Sequence, residues 1–212
     1  RHVMPDLPGF GQSRLTGGTT SIDDYAHLAI DLLDRRGIDR AFVAGLSMGG
    51  YICFAMARLA PERLRGLILI DTRETADTAE ARKGRYDTIA KVREQGIQPV
   101  VDSMLPKMLT ANAPQEMKDR AREIMTSSSA EGVIAALEAM AERPDSSELL
   151  PQIGVPALVV VGEEDAITPP ADAERMAKAV RGATLVKLAN AAHLSNFEQS
   201  DAFNEAVQKY LK

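Results

Sequence analysis

The chain of 212 residues holds one cysteine, no tryptophan, four tyrosines and five phenylalanines. A single cysteine excludes an internal disulfide framework. Its place in the amphipathic, helix-like stretch from Tyr51 to Leu59 makes Cys53 an expected small buried hydrophobe. No hydrophobic run is long enough to cross a bilayer and no signal-peptide pattern is visible, so a cytoplasmic protein is expected. Only three histidines occur, His2, His27 and His193, and none sits in a cluster with metal-ligand spacing, so no metal is expected. Gly9-Phe10-Gly11 lacks the third glycine of a dinucleotide fingerprint and no phosphate loop is present, so no cofactor is expected either. Positive charge is also scarce. With 25 Lys and Arg against 30 Asp and Glu, the net charge is −5, which excludes a basic footprint for nucleic acid or anionic membrane. What remains is ordinary globular composition, 45% hydrophobic and 26% charged, in a chain long enough for one α/β core with an insertion.

Strand-like and helix-like stretches alternate along most of the chain. Ser21 to Arg36 has apolar residues at helical spacing, a Ser21–Asp24 capping box and Gly37 as a stop. Arg40 to Leu46 reads as a strand and Ser47 to Ala60 as a helix ended by Pro61. Leu64 to Asp71 contains Leu67-Ile68-Leu69-Ile70, the unbroken apolar run of a strand buried on both faces. Ala157 to Val161 is a second such strand. Thr168-Pro169 caps a helix to about Val180, Ala183 to Leu188 is the last strand, and Ser195 to Leu211 the last helix. This alternation implies a parallel sheet flanked by helices. From Thr72 to Leu150 it breaks down. That region has no strand-like run, is punctuated by Pro99, Pro106, Pro114 and Pro144, and reads as several short helices, one starting at Asn112–Pro114 and another at Ser129. Met104, Met108, Met117, Met125 and Met140 fall there, and packing between the helices is the main role expected of them. Residues 1–71 and 151–212 are therefore expected to form the core, and 72–150 a helical insertion.

The chemistry is carried by Gly45-Leu46-Ser47-Met48-Gly49-Gly50. A G-x-S-x-G pattern between a strand and a helix is a nucleophile elbow, with the serine on a strained turn and its hydroxyl exposed. Gly45 and Gly49 are expected to relieve crowding in the bend. A serine hydroxyl needs a base. His2 lies near the terminus and His27 on a helix surface. His193, in Ala189-Asn190-Ala191-Ala192-His193-Leu194, lies on a loop after the last strand, at the sheet edge where α/β sites are built. The group that orients an imidazole is expected to be Asp165, in the loop after the Ala157–Val161 strand, which gives the order Ser, Asp, His. Asp71 competes, since it ends a strand on the same edge. Glu163 and Glu164 read as solvated loop charges.

Together these segments resemble the α/β-hydrolase fold superfamily, in the branch of 3-oxoadipate enol-lactonases and small bacterial esterases. Asp6-Leu7-Pro8-Gly9-Phe10-Gly11-Gln12-Ser13, the Ser47 elbow, the run to Asp71, the Asp165 loop and the His193 loop carry the likeness, in family order. The resemblance implies a helical cap after Asp71. It also implies attack by Ser47 on an acyl carbon, a covalent acyl-enzyme, and hydrolysis by water assisted by His193. The Met48 backbone N–H is then one oxyanion-hole donor. The family's three strands before the Asp-x-x-Gly-x-Gly segment, with the loop that donates a second N–H, are missing from this sequence. The Arg1–Pro5 strand must therefore shift across the sheet, stay loose or pair with a second copy, and a homodimer is expected; the alternative is that the sequence is a piece of a longer one. Ala192 replaces a frequent glycine, and Ser195 and Ser200 replace frequent prolines, none of them expected to touch the chemistry. The leading expectation is a serine carboxylesterase acting on small esters or lactones. Perhydrolase or C–C bond hydrolysis on the same triad, or a receptor-like binding protein, are the alternatives. Arg73, Arg82, Lys83 and Arg85 could clamp a carboxylate, but a solvated helix face is the expectation for them.

Overall fold

A computed structural model describes residues 2–15 and 21–212. In chain order the elements are α1 (Ile22–Arg35), β1 (Ala41–Leu46), α2 (Met48–Leu59), β2 (Leu64–Ile70), α3 (Ala79–Gln95), α4 (Gln98–Met108), α5 (Gln115–Thr126), α6 (Ala130–Ala141), β3 (Ala157–Gly162), α7 (Pro170–Ala179), β4 (Thr184–Leu188), α8 (Ser195–Glu198) and α9 (Ser200–Tyr210). The four strands pair in the order β1-β2-β3-β4, every pair parallel. All four C-terminal ends therefore lie at one edge. α1 begins with the capping box read from the sequence: the Ser21 hydroxyl accepts from the Asp24 N–H, and the Asp24 carboxylate accepts from the Ser21 N–H.

Continuous apolar runs in β2 and β3 serve both faces of the sheet. Leu67, Leu69, Val159 and Val161 point into a core shared with α1, α2 and α7. Ile68, Ile70, Leu158 and Val160 point the other way, against Phe203, Val207 and Tyr210 of α9. Cys53 lies in the first core and is almost fully buried; burial pushes its thiol up to about 12, so it stays a neutral apolar group.

Several expectations change. Residues 2–5 carry no strand and remain exposed, with Met4 at 90%, while Arg1 lies outside the described residues. Of the fates open to that segment, staying loose is the one observed in the single chain, and β1 has one unpaired edge among the described residues. The last helix is divided: Gln199, at φ −122° and ψ 52°, leaves helical geometry and separates α8 from α9. α5 starts after Pro114 rather than at Asn112. Ser129 does cap α6, its hydroxyl accepting from the Gly132 N–H at 3.0 Å.

α3 to α6 lie between β2 and β3 and carry their own apolar cluster. Leu105, Leu109, Ala113 and Ala121 pack with Met108, Met117 and Met125, so these methionines do pack helix on helix. Arg143, at the end of the insertion, donates to the Asp77 carboxylate at 2.7 Å and stacks on the Tyr51 ring of α2 at 4.2 Å from its centroid. A second attachment joins the Pro8–Phe10 loop to α6. The Ser129 hydroxyl donates to the Gly9 carbonyl at 2.8 Å. A Cβ on Gly132 would lie 2.2 Å from that same oxygen, so only glycine permits the approach.

Gly132→Ala is therefore expected to destabilise the fold by about 1–3 kcal/mol through overpacking. Gly84→Ala in α3, where an added Cβ meets nothing within 4 Å, is expected to stabilise by up to ~1 kcal/mol through helix propensity. Urea midpoints of the two variants check both signs.

Candidate active site

β1 ends at Leu46 and the chain turns sharply into α2 through Ser47, at φ 52° and ψ −113°. A non-glycine residue in this region is strained and persists only when its surroundings hold it there. Three hydrogen bonds do so. The Ser47 N–H donates to the Ile70 carbonyl at 2.9 Å, and the Ser47 carbonyl accepts from the Gly50 N–H at 2.9 Å and the Thr72 hydroxyl at 2.8 Å. A Cβ at Gly45 would sit 2.1 Å from the Gly49 carbonyl, and one at Gly50 would sit 2.3 Å from the Thr72 hydroxyl. Gly49 differs from the expectation: beyond its own helix, nothing lies within 4 Å of where its Cβ would be. Its backbone is what Gly45 must clear, and Gly50 is the second sterically required glycine. Met48 opens α2, so its N–H is one of the first-turn donors without an intrahelical acceptor.

Asp165 lies in the turn after β3 and His193 in the loop after β4. The structure brings them together, Asp165 Oδ2 to His193 Nδ1 at 2.8 Å, with both residues almost fully buried. The other carboxylate oxygen of Asp165 accepts from the N–H groups of Ile167 and Thr168 at 2.8 and 3.0 Å, and Oδ2 also accepts from the Thr168 hydroxyl at 2.6 Å. Burial opposes its charge. The hydrogen bond and charge of His193 and the two Thr168 donors outweigh burial and hold the carboxyl below its ordinary value. Ser47 shares this sheet edge, but among the described residues no hydrogen bond joins its Oγ to His193. His2 and His27 are exposed and distant in role, and Glu163 and Glu164 are exposed as expected.

Asp71, the competing acid, is bonded elsewhere. It follows β2 at φ 43° and is fully buried. Its Oδ1 accepts from the Gly162 N–H at 2.9 Å. Its Oδ2 accepts from the Ser195 N–H at 3.2 Å and the Ser195 hydroxyl at 2.5 Å. It thus clips the end of β3 and the segment just past His193 to the end of β2. Burial raises its pKa to about 6, against the lowering effect of the Ser195 and Gly162 donors and of His193.

Three residues that bear on the site were missed in the sequence. Thr168 reads from the sequence as part of a helix cap, yet its side chain serves Asp165; the Asp-x-x-Thr spacing, suited to a local side-chain turn, is the available signal. Ser195 is not expected to touch the chemistry, but it is fully buried and fastened to Asp71. Glu198 joins Ala192 to Thr110. The bonds of Ser195 to Asp71 and of Glu198 to Thr110 join segments far apart in sequence, so no local pattern marks them. Arg82 and Lys83 are exposed, as a solvated helix face requires, while Arg73 and Arg85 are half-buried, and all four are paired within the protein. Arg73 pairs with Asp172 and the Ile167 carbonyl, Arg82 with Glu142, Lys83 with Asp87, and Arg85 with Asp77.

Residues 1–200 match the family model for the alpha/beta hydrolase fold. The 3-oxoadipate enol-lactonase 2 of Acinetobacter baylyi is 32% identical over 99% of this chain and 78% of its own length. A thermophilic esterase from Thermogutta terrifontis, solved with malate bound, is 38% identical with a TM-score of 0.94, over 98% of this chain and 78% of that one. The enol-lactonase from Burkholderia xenovorans LB400 is 31% identical with a TM-score of 0.87, over 97% of this chain and 78% of that one.

Asp71 is expected to leave a pH signature. Its folded pKa of about 6 lies above the ordinary 3.8, so between those values the folded state keeps a proton that the unfolded state has lost. Its contribution therefore falls as pH rises from about 4 to about 6, and above that its buried charge costs about 3 kcal/mol. Asp71→Asn is expected to gain about that much on the parent between pH 4 and pH 7. Urea titrations at the two pH values measure it, and a constant difference refutes the assignment.

Proposed function

The chain belongs to the alpha/beta hydrolase fold family, and from that premise we propose that it is a carboxylic ester hydrolase using Ser47, His193 and Asp165. The observation that carries the reading is a serine held at φ 52° on the same sheet edge as a buried, bonded His–Asp pair. Such strain at a hydroxyl-bearing residue marks a functional position. In the reaction, His193 takes the Ser47 proton as Oγ attacks the acyl carbon. The tetrahedral oxyanion forms against the Met48 N–H at the start of α2. His193 returns the proton to the leaving alcohol, and water then releases the acyl group by the same route. Asp165 holds the imidazole in one tautomer and stabilises its charged form.

The helical insertion serves as the cap over this edge. Its apolar cluster, with Met108, Met117 and Met125 beside Leu194, suits a small aliphatic acyl group, since methionine side chains adapt to irregular shapes. Arg73, Arg82, Lys83 and Arg85 are already paired within the protein, which favours an uncharged ester or lactone over a free carboxylate.

Hydrolysis of a short-chain p-nitrophenyl ester by the purified chain tests the reading. Ser47→Ala is expected to lower kcat by about 10⁴-fold or more, and Asp165→Asn by about 10⁴-fold through loss of the productive tautomer. Turnover that survives Ser47→Ala refutes the mechanism, and tight ester binding without turnover by the folded parent points to a binding protein instead.

A further inference from the structure

His193 is held by its neighbours as well as by Asp165, and both neighbours lead to the end of α4. On one side, the Leu194 N–H donates to the Met108 carbonyl at 2.8 Å. On the other, the Ala192 N–H donates to Glu198 Oε2 at 2.7 Å, while Glu198 Oε1 accepts from the Thr110 N–H at 2.9 Å and the Thr110 hydroxyl at 2.7 Å. Leu194 and Phe197 pack on the cluster that Leu105 and Leu109 build on and just past α4. The imidazole is fixed at Nδ1 by Asp165. Its remaining freedom is the placement of the loop that carries it, and that loop is bonded to α4 on both sides of the histidine.

We propose that Glu198 is a positioning residue that carries the position of α4 to His193, so that the apolar helices receiving the acyl group set the reach of the imidazole toward Ser47. This rests on the serine-hydrolase reading. The chemistry of the link requires a carboxylate of this length. Three donors converge on Glu198 from two segments, and none of them is a backbone acceptor. Both oxygens must accept, so an amide would turn its NH₂ against a backbone N–H on one arm whichever way it rotates. Aspartate is one methylene shorter and releases one arm. A bond that served only to hold the fold together has no need to end on the residue beside the base. Here the shift of a loop by a fraction of an ångström is read directly in the distance over which a proton is transferred.

Thr110→Val and Glu198→Gln test the link on the ester used above, with kcat and KM measured separately. The His193 Nδ1-bound proton resonance, read by NMR, supplies a signal that needs no turnover. Thr110→Val keeps the side-chain shape and the backbone N–H and removes one donor remote from the histidine. It is expected to lower kcat about threefold to tenfold with KM changed less than about twofold, and Glu198→Gln to lower kcat about tenfold to hundredfold. Both are expected to move the His193 resonance. The double variant is expected to be no slower than Glu198→Gln, because both changes cut one connection. The proposal is overturned if Thr110→Val lowers only the melting temperature, with kcat and the resonance as in the parent, or if the two effects multiply. If Ser47→Ala keeps its activity, the hydrolase reading fails and the resonance alone judges the link; an unmoved resonance then overturns it.

Discussion

The carboxylate of Asp71 is the tie on which the arrangement of the site depends. A parallel sheet delivers its strand ends to one edge but leaves the loops that follow them free to diverge. Asp71 stands at the end of β2, in the middle of that edge, and its two oxygens take hold of Gly162 at the end of β3 and Ser195 just past His193. The preceding residue, Ile70, accepts the N–H of Ser47. Through two consecutive residues of one strand end, the elbow, the acid turn and the histidine loop are placed relative to one another. An ionised group without a cationic partner is an expensive tie in so dry a place, and its pKa of about 6 records that cost.

Asp71 and Asp165 show how environment separates two equally buried carboxylates. Burial opposes ionisation in both. Asp165 has an imidazole at 2.8 Å together with the hydroxyl and N–H of Thr168, and these hold it ionised. Asp71 has only neutral hydrogen-bond donors, and the more distant charge of His193, opposed by that of Asp165, does not offset its burial. One carboxylate is thereby suited to steadying a positive imidazole, and the other to holding loops together.

The segment between β2 and β3 attaches to the core through contacts of different chemistry, and Ala139 of α6 packs into the core cluster itself. Arg143 ties it to Tyr51, Ser129 and Gly132 to the Gly9 turn, and Thr110 and Met108 to the histidine loop. The last contact ends on the residues that flank His193. The insertion is thus tied into the loop that carries His193.

The sequence by itself determined the elements that depend on local pattern. The unbroken apolar runs of β2 and β3 could only be strands covered on both faces, the Ser21–Asp24 box could only open a helix, and glycine beside Ser47 marked the bend. Chain order and the placement of His193 and Asp165 just past strands were enough to put both on the edge where they meet. Tertiary structure decided what rests on contacts between distant segments. Residues 2–5 read as a strand, but strand identity requires a partner, and none pairs with them among the described residues. Asp71 and Asp165 looked alike because each ends a strand, and only their donors separate them. The bonds of Ser195 to Asp71 and of Glu198 to Thr110 carried no signal, since they span 124 and 88 residues. A residue's hydrogen-bond partner across such a separation is chosen by the packing of the whole sheet edge, which no local pattern encodes.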